Sequence, residues 1–489
     1  MRLQLLLLAL GVCAFAQRPN SQIRIYESAF KFLTKATCHI ADTEVSKLGA
    51  NFITFNTTIG SGEVILKTSL SVDKFVCPIL DSYISDKDGI HFSSSQGVWR
   101  MKGLWSAVYH NPFGLPIDSS ANGDAVLSAT DLDVDLAAKI VVGADKHPQL
   151  QMGECKAKLG VFDYKFNGKF ADLPNMFNDF LGTIVKNIVK DLACQITQNT
   201  ILTKYNEVIA KIPLHYELPY NFSLDWALYE PRYTNNLVEM KGAAKVAYGK
   251  KPCESHVTYD EVFQGFKNEE SAKDVVIWLG QSLSACALKS VHESQLIKLP
   301  INIDSLPDYK DRLSTRCGGW LIFKGGCIGA ALKGLSKVGD YAELLLFTAE
   351  APQINLKQGY VEIYGKFGAE VYEYPMEKHP KVLGKILITA TAKVKPKIVN
   401  KHLIGECDTD DIDPKLDIVK GYKITGFTFG YEKITKGIFK KVSKVLFFAI
   451  LQAGLPLPSF DGAAISDKTQ IDVFDKVIRI NMGLELNGK

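Results

Sequence analysis

A long helical pattern between Asp172 and Lys211 constrains this chain more than any other stretch. Apolar pairs recur every four residues along it, with polar pairs between them: Met176/Phe177, Phe180/Leu181, Ile184/Val185, Ile188/Val189 and Leu192/Ala193. At about 100° per residue, each repeat drifts by roughly 40°, so the apolar stripe winds about half way round the helix. A curled sheet covers such a stripe and a flat one does not. A sheet curled around a helix leaves an apolar seam in which a lipid chain fits.

The N-terminus predicts secretion. Arg2 precedes a mostly apolar run from Leu3 to Phe15, and Ala14-Phe15-Ala16 fits a small-x-small cleavage site. We therefore interpret residues 1–16 as a signal peptide and expect an extracellular mature protein. A signal anchor is the alternative, but the apolar run is short for a membrane span.

Cysteines and sequons indicate the same compartment. Nine cysteines remain after the signal peptide, which contains Cys13, is removed. In an oxidising compartment most of them should form disulfides, and one should stay unpaired or form an intermolecular bond. The sequons at Asn56 and Asn221 predict N-glycosylation. Cys38 and Cys77 fit a bond between the first helix and a strand. The sequence leaves the pairing open for these two and for Cys253, Cys286, Cys317, Cys327 and Cys407.

The order of elements predicts one topology used twice: helix, strands, long helix, proline break and a pair of extended segments. In the first half these are Ser21–Ala36, alternating strands between Asn51 and Phe170, Asp172–Lys211, Pro213, and Asn221–Tyr229 with Leu237–Tyr248. In the second half they are Ser271–Ser290, strands including Leu344–Phe347, Tyr360–Tyr374 and Val382–Val394, Ile434–Leu451, Pro456, and Thr469–Phe474 with Lys476–Leu486. The two prolines lie 243 residues apart, about half the chain.

Three features resemble one protein family. Cys155 accompanies a predicted strand and Cys194 lies in the long helix, the segment LVEMKGAAKVAYG precedes a linker, and GLPLPSFDG follows the C-terminal helix before a last strand, NMGLELNGK. Together they span almost the whole mature chain in order. In these features the chain resembles the bactericidal/permeability-increasing, LPS-binding and cholesteryl-ester-transfer protein family of the tubular lipid-binding superfamily.

The resemblance implies an α+β fold with two pseudo-symmetric barrels in a boomerang. Each barrel is a twisted antiparallel sheet wrapped around long helices, and a central sheet joins the two. We expect an N-terminal barrel over residues 17–248, a linker over 249–261 and a C-terminal barrel over 262–489. A Cys155–Cys194 bond would close a loop of about forty residues and contribute roughly 4 kcal/mol in the chain-entropy model. Two free buried cysteines are the alternative.

The function implied is a secreted carrier that holds phospholipid or another amphipathic lipid in apolar pockets, with no cofactor other than the bound lipid. A transient membrane or lipoprotein surface would be a further partner. The residues that we predict to face lipid are Phe32, Leu33, Phe177, Phe180, Leu181, Ile184 and Ile188 in the first domain, and Trp278, Leu279, Leu283, Ile438, Val442 and Leu446 in the second. Each alone fits an ordinary core better, so the prediction concerns the seam as a whole. The lysines of Lys433–Lys444 fit either a solvated helix face or contact with anionic head groups.

Sequence signatures of other functions are missing. Gly280-Gln281-Ser282-Leu283-Ser284 lacks the closing glycine of a hydrolase elbow, and the sequence contains no Walker loop, HExxH or CxxC. The nine histidines are scattered along the chain. We therefore predict no enzymatic activity, no metal site and no nucleic-acid partner.

The alternative function is innate defence through recognition of bacterial lipopolysaccharide. Members of the family that neutralise lipopolysaccharide carry a cationic tip on the first barrel. Here residues 17–248 hold 23 Lys+Arg against 24 Asp+Glu, and the predicted tip loops, Asn56–Glu63 and His110–Asp118, contain neither lysine nor arginine. The near-neutral first half argues against this alternative.

We expect weak endotoxin binding at low salt, or none, because the predicted tip loops supply no cation for lipid A phosphates. Titration with lipopolysaccharide over a range of salt concentrations checks this. Tight, strongly salt-sensitive binding would contradict the expectation.

Overall fold

The fold is known from a computed structural model. It describes residues 19–31, 34, 51–59, 62–76, 78–110, 119–144, 146–169, 187, 190, 191, 193, 194, 198, 203–210, 214–218, 221–229, 231–234, 236–249, 251–253, 274–317, 326–399, 402–407, 413–428, 455–456, 463–466 and 469–486. Antiparallel strands dominate these residues and form three large sheets.

Twelve of the described strands precede residue 253. They are β1 (Ser21–Tyr26), β2 (Asn51–Ile59), β3 (Gly62–Val76), β4 (Ile79–Ser85), β5 (Gly89–His110), β6 (Ser119–Val142), β7 (Pro148–Lys169), β8 (His215–Leu218), β9 (Phe222–Leu228), β10 (Arg232–Thr234), β11 (Leu237–Tyr248) and β12 (Lys251–Pro252). A helical turn covers residues 27–31, and helix α1 spans Thr203–Ala210.

Thirteen strands follow within the part of the chain that the structure describes. They are β13 (Val275–Gly280), β14 (Lys298–Ile301), β15 (Ala342–Thr348), β16 (Gln353–Lys357), β17 (Tyr360–Glu373), β18 (Gly384–Val399), β19 (His402–Cys407), β20 (Asp413–Val419), β21 (Leu455–Pro456), β22 (Ala463–Ile465), β23 (Gln470–Phe474), β24 (Val477–Met482) and β25 (Leu484–Leu486). The helices are α2 (Gln281–Glu293), α3 (Lys310–Leu313) and α4 (Ile328–Ala331), with 3-10 turns at Pro307–Tyr309 and Leu335–Lys337.

The first-half sheet has the strand order β2-β3-β5-β6-β7, with β4 also paired to β5. Its long strands, of 22 residues in β5 and 24 in β6, follow the period-two pattern of the sequence. Register shifts interrupt the pairing of β5 with β6 between Ser94 and Trp99, and that of β6 with β7 between Leu136 and Ala138. Such bulges bend strands and increase their twist, so this sheet is not flat.

The second-half sheet has the order β14-β15-β17-β18-β19-β21, with β16 on β17 and β20 on β18. Its inner face is closely packed, because Leu344, Leu346, Ala369, Ile386 and Ile388 are each at most 2% exposed. The strands predicted from alternation in this half are confirmed by β15, β17 and β18.

A central sheet draws strands from both halves of the chain. Its order is β23-β24-β13-β1-β11-β9-β8, and β1 pairs with both β11 and β13. The order is symmetric about the β1–β13 pair, because β11 and β9 on one side match β24 and β23 on the other. This symmetry agrees with the duplicated topology predicted from the sequence.

Two predicted helices are partly wrong. Ser21–Ala36 begins with strand β1, and the described helical residues start at 27. Ser271–Ser290 contains strand β13 up to Gly280, and helix α2 begins only at Gln281. In both segments the apolar residues fit the helical period of 3.6 as well as the strand period of 2. Pairing with distant strands of the central sheet stabilises the strand.

Both long helices fall mostly outside the described residues. Within Asp172–Lys211, residues 187, 190, 191, 193 and 194 are helical, and α1 occupies Thr203–Ala210. The segment Ile434–Leu451 lies wholly outside the described part. The long helices, the two barrels and the domain boundaries therefore stay predictions.

The Cys155–Cys194 disulfide is confirmed, and it joins β7 to a helical residue. Two further bonds, which the sequence had left open, are Cys253–Cys286 and Cys317–Cys327. Cys38 and Cys77 lie outside the described residues. No helix within the described ranges has both the length and the apolar content needed to cross a bilayer.

Replacing Cys155 and Cys194 together with serine should lower the free energy of unfolding by about 4 kcal/mol, because the bond closes a loop of 39 residues. Urea denaturation measures the change. The Cys317/Cys327 pair serves as the control, since its separation of 10 residues predicts a smaller loss, of about 3 kcal/mol. An equal or larger loss in the control would contradict the entropic account.

Candidate functional site

The inner face of the first-half sheet carries apolar residues in register across four strands. One row runs Phe75, Trp99, Ala129, Phe162 from β3 to β7. The next rows run Val72, Met101, Leu127, Tyr164 and Leu70, Gly103, Ala125, Phe166. None of these side chains except the phenol of Tyr164 is ionisable, so the face offers a hydrocarbon surface.

Small residues on β6 lie between the larger side chains of β5 and β7 along this face. Gly123, Ala125 and Ala129 occupy inward positions of β6, interrupted by the larger Leu127. The flanking strands β5 and β7 lie about 10 Å apart, because neighbouring strands are separated by about 4.8 Å. We call this the aromatic groove, after its walls: Trp99 and Trp105 on β5, and Phe162, Tyr164 and Phe166 on β7.

One end of the aromatic groove is closed by its own walls. The rings of Trp105 and Phe166 meet edge to face across the floor, with centroids 5.4 Å apart. Trp105 also donates a hydrogen bond from Nε1 to the carbonyl oxygen of Asn167 at 3.1 Å. Trp105 and Phe166 are 2% and 3% exposed, so this end is sealed from solvent.

The other end of the groove is more open. Phe162, Tyr164 and Leu159 on β7 are only partly buried, although they face inward. Among the described strands, β7 lies at the edge of this sheet, and its Phe162 ring packs beside Tyr164, with centroids 5.5 Å apart. An apolar side that is partly exposed along an edge strand is a suitable entry for a hydrocarbon chain.

Side chains from the helical segments pack on the same face. Ala193 is fully buried against the groove cluster, and its neighbour Cys194 is bonded to Cys155 of β7. Further along, Asn206 of α1 accepts a hydrogen bond from the backbone N–H of Leu150 at 2.7 Å and donates one to its carbonyl at 3.0 Å. These contacts fix the helical segment to β7 at both places.

The part of the first-half sheet around Phe92 and Ile140 is a closed core rather than a site. The ring of Phe92 lies there between those of Phe30 and Tyr205: it meets Phe30 edge to face with centroids 6.5 Å apart, and it is tilted against Tyr205 with centroids 5.4 Å apart. Tyr233 bonds through its hydroxyl to the backbone of Ile140, and burial raises the pKa of this phenol. The phenol is therefore neutral at physiological pH and completes the core.

Comparison with known proteins identifies the architecture. No protein-family profile and no curated protein matches the sequence. A crystal structure of lipopolysaccharide binding protein superposes with a TM-score of 0.56 and 14% identity, covering 96% of this chain and 99% of that chain. The chain shares the fold of lipopolysaccharide binding protein. The resemblance seen in the sequence is thus confirmed at the level of the fold.

A second solved structure, Takeout 1 of Epiphyas postvittana, is 15% identical and covers 38% of this chain and 91% of that chain. Its TM-score of 0.25 is too low to indicate how the parts correspond.

The structure describes three of the residues predicted to face lipid. Trp278 is buried in the central sheet between the guanidinium groups of Arg24 and Arg479, 6.0 and 5.7 Å from its ring centroid. These arginines pair with Glu239 and Asp472, so the surroundings of Trp278 are polar. Leu279 points to the opposite, apolar face of β13, and Leu283 is partly buried on α2.

The other predicted residues lie outside the described part: Phe32, Leu33, Phe177, Phe180, Leu181, Ile184, Ile188, Ile438, Val442 and Leu446. Their role and those of Trp278, Leu279 and Leu283 stay predictions. The sequons are accessible, because Asn56 and Asn221 are both exposed, and their glycosylation stays a prediction. The groove residues on β5, β6 and β7 were missed, although alternation in these strands indicates which residues share a face.

The described part of this face carries few groups that could take part in chemistry. Among the described residues, no three His, Cys, Asp or Glu side chains are grouped closely enough to hold a metal ion. The described inward positions of the groove carry no nucleophile or acid–base pair.

Replacing Gly103 with alanine should destabilise the protein by about 1–3 kcal/mol, because the new Cβ would overlap the backbone carbonyl of Ser69 and push β3 from β5. Thermal or urea unfolding measures this. Leu104→Ala is the control: its side chain is 64% exposed on the opposite face, and we expect a change within about 0.5 kcal/mol. Equal stability of Gly103→Ala and the parent would contradict the close approach of β3 and β5 at Gly103.

Proposed function

We propose that this protein is a secreted, non-enzymatic carrier that holds the hydrocarbon part of an amphipathic lipid in the aromatic groove. The observation that carries the proposal is an apolar face that is sealed by Trp105 and Phe166 at one end and partly exposed at Phe162 at the other. The fold shared with a protein named for binding lipopolysaccharide supports lipid binding in general.

The driving force would be burial of hydrocarbon. Each acyl methylene removed from water contributes about 0.8 kcal/mol, so ten methylenes contribute about 8 kcal/mol. That free energy corresponds to a dissociation constant near 1 μM before the cost of ordering the chain is subtracted. A lipid with two long chains that buries about twenty methylenes doubles this gross contribution to about 16 kcal/mol.

Phospholipid is favoured over lipopolysaccharide as the ligand. Recognition of lipid A phosphates needs cations near the mouth of the site. The exposed lysines of β7 whose side chains the structure describes, Lys156, Lys158 and Lys165, lie on its outer side, because they alternate with the inward residues. The hairpin between Ile59 and Gly62 has no lysine or arginine in its turn.

Natively purified protein should carry phospholipid or fatty acid, detectable by mass spectrometry of an organic extract. Delipidated protein should also take up a fluorescent fatty acid. Repeated recovery of empty protein that takes up no lipid would refute the proposal.

Replacing Phe162 with aspartate should weaken uptake of a fluorescent fatty acid by about tenfold or more, because a carboxylate at the open end would have to be desolvated against the acyl chain. Val161→Asp is a matched control on the same strand, since Val161 is 60% exposed on the outer face. We expect its uptake to stay within twofold of the parent. Circular dichroism confirms folding of both variants. An equal loss of uptake in Phe162→Asp and Val161→Asp would indicate that the ligand binds outside the aromatic groove.

A further inference from the structure

Six lysines gather on three loops of the second half. They are Lys333 and Lys337, Lys378 and Lys381, and Lys420 and Lys423, and we call them the distal lysine cluster. The three loops, 332–338, 377–384 and 419–427, contain one acidic residue, Glu377. All six lysines are exposed. The loops thus concentrate five net positive charges, more than the net charge of +4 on the whole chain.

Backbone contacts hold the three loops side by side. Ile424 donates its N–H to the carbonyl of Leu383 at 3.0 Å, and Lys333 donates its N–H to the carbonyl of Gly426 at 2.9 Å. Leu332 and Phe427 form an isolated bridge beside them. Gly334 turns the first loop with φ +92°, and its position lies close to the carbonyl of Lys423. The lysines therefore belong to one surface.

This surface lies at the end of the second-half sheet remote from the central sheet. At the near end, Gly359 donates its N–H to the carbonyl of Val473, and β17 begins at the next residue. β17 then runs away to Glu373, and β18 returns from Gly384. The cluster surrounds the turn between these two strands, which is the distal end.

No carboxylate in the described part of the chain neutralises the cluster. Elsewhere in the same half, Lys366 pairs with Glu350, Lys357 with Asp475 and Arg316 with Asp340. None of the six clustered lysines has a carboxylate partner among the described residues. Like charges held together repel one another, and an anionic surface relieves this repulsion.

The cluster also lacks an apolar anchor. The strongly exposed large apolar residues of the described second half are Tyr364 and Val399, and neither lies on the three loops. An interaction here would be electrostatic, without insertion of side chains into a hydrocarbon phase. Such an interaction weakens steeply as salt shortens the Debye length, which is about 10 Å at 0.1 M.

We propose that the distal lysine cluster docks the protein onto an anionic lipid surface. Six cations at one end of a sheet suit an extended negative plane, and each lysine near such a surface strengthens binding about fivefold. The choice of a lipid surface over another polyanion rests on the proposed carrier function, because a carrier must meet the lipid phase that it loads from. The docking end is in the second half, away from the aromatic groove of the first.

Vesicle co-sedimentation tests the proposal. The full chain should bind phosphatidylcholine vesicles that contain phosphatidylserine at low salt, bind much less at about 0.15 M salt, and ignore pure phosphatidylcholine. The variant K333E/K337E/K381E/K423E should lose about a hundredfold or more in affinity.

The matched control is K67E/K74E/K158E/K165E, which changes the total charge equally at exposed lysines of the first half that have no described carboxylate partner. It should retain most of the binding. An equal loss of vesicle affinity in both variants would show that only the net charge of the protein matters. Equal binding of the parent to neutral and anionic vesicles would exclude docking by charge. Binding to heparin without binding to vesicles would assign the cluster to an acidic glycan instead. Each of these results overturns the proposal.

Uptake of a fluorescent fatty acid from free solution separates this proposal from the carrier function. The cluster variant should take up lipid like the parent, because the groove is in the other half. Loss of vesicle binding with uptake intact supports docking. Failure of uptake in the parent itself would contradict the carrier function, whereas vesicle binding by the parent would still be tested directly by co-sedimentation.

Discussion

The antiparallel pairing of Ser21–Tyr26 with Val275–Gly280 is the interaction on which the rest of the structure depends. It brings residues about 250 positions apart in sequence into one sheet, and each partner then recruits the last strands of its own half. Ile23 and Ile277 meet on its apolar face, while Arg24 and Trp278 meet on the polar face. The first-half and second-half sheets share no described strand with this central sheet, so the aromatic groove and the distal lysine cluster occupy different sheets in different halves of one molecule.

The sequence predicted most strands because their alternation is local. β5, β6, β7, β15, β17 and β18 could be recognised from period two alone, since one face of each is buried. β1 and β13 were missed for a physical reason. Six residues such as SQIRIY or VVIWLG satisfy either period, and their partners lie far away in sequence. The strict alternation of Gln22 and Arg24 with Ile23 and Ile25 was the signal that favoured the strand.

The aromatic groove could be predicted only in part. Alternation tells which side of β6 carries Ala125 and Ala129, but not that Trp99 and Phe162 lie opposite Ala129. Register depends on turns and bulges, and a one-residue slip exchanges the two faces of a strand. The Cys155–Cys194 pair was the one long-range constraint readable in advance, because family resemblance supplied it. The distal lysine cluster had no local signature, since its three loops are joined only by backbone contacts.

Quenching of tryptophan fluorescence by a fatty acid brominated along its chain tests the central claim most directly. Two of the five tryptophans, Trp99 and Trp105, line the aromatic groove, and Trp278 lies in the polar face of the central sheet. The account predicts that the parent and Trp278→Phe are quenched on binding, and that the variant with Trp99→Phe and Trp105→Phe loses most of the quenching while still binding the acid. Quenching that survives in that double variant but disappears in Trp278→Phe would contradict it.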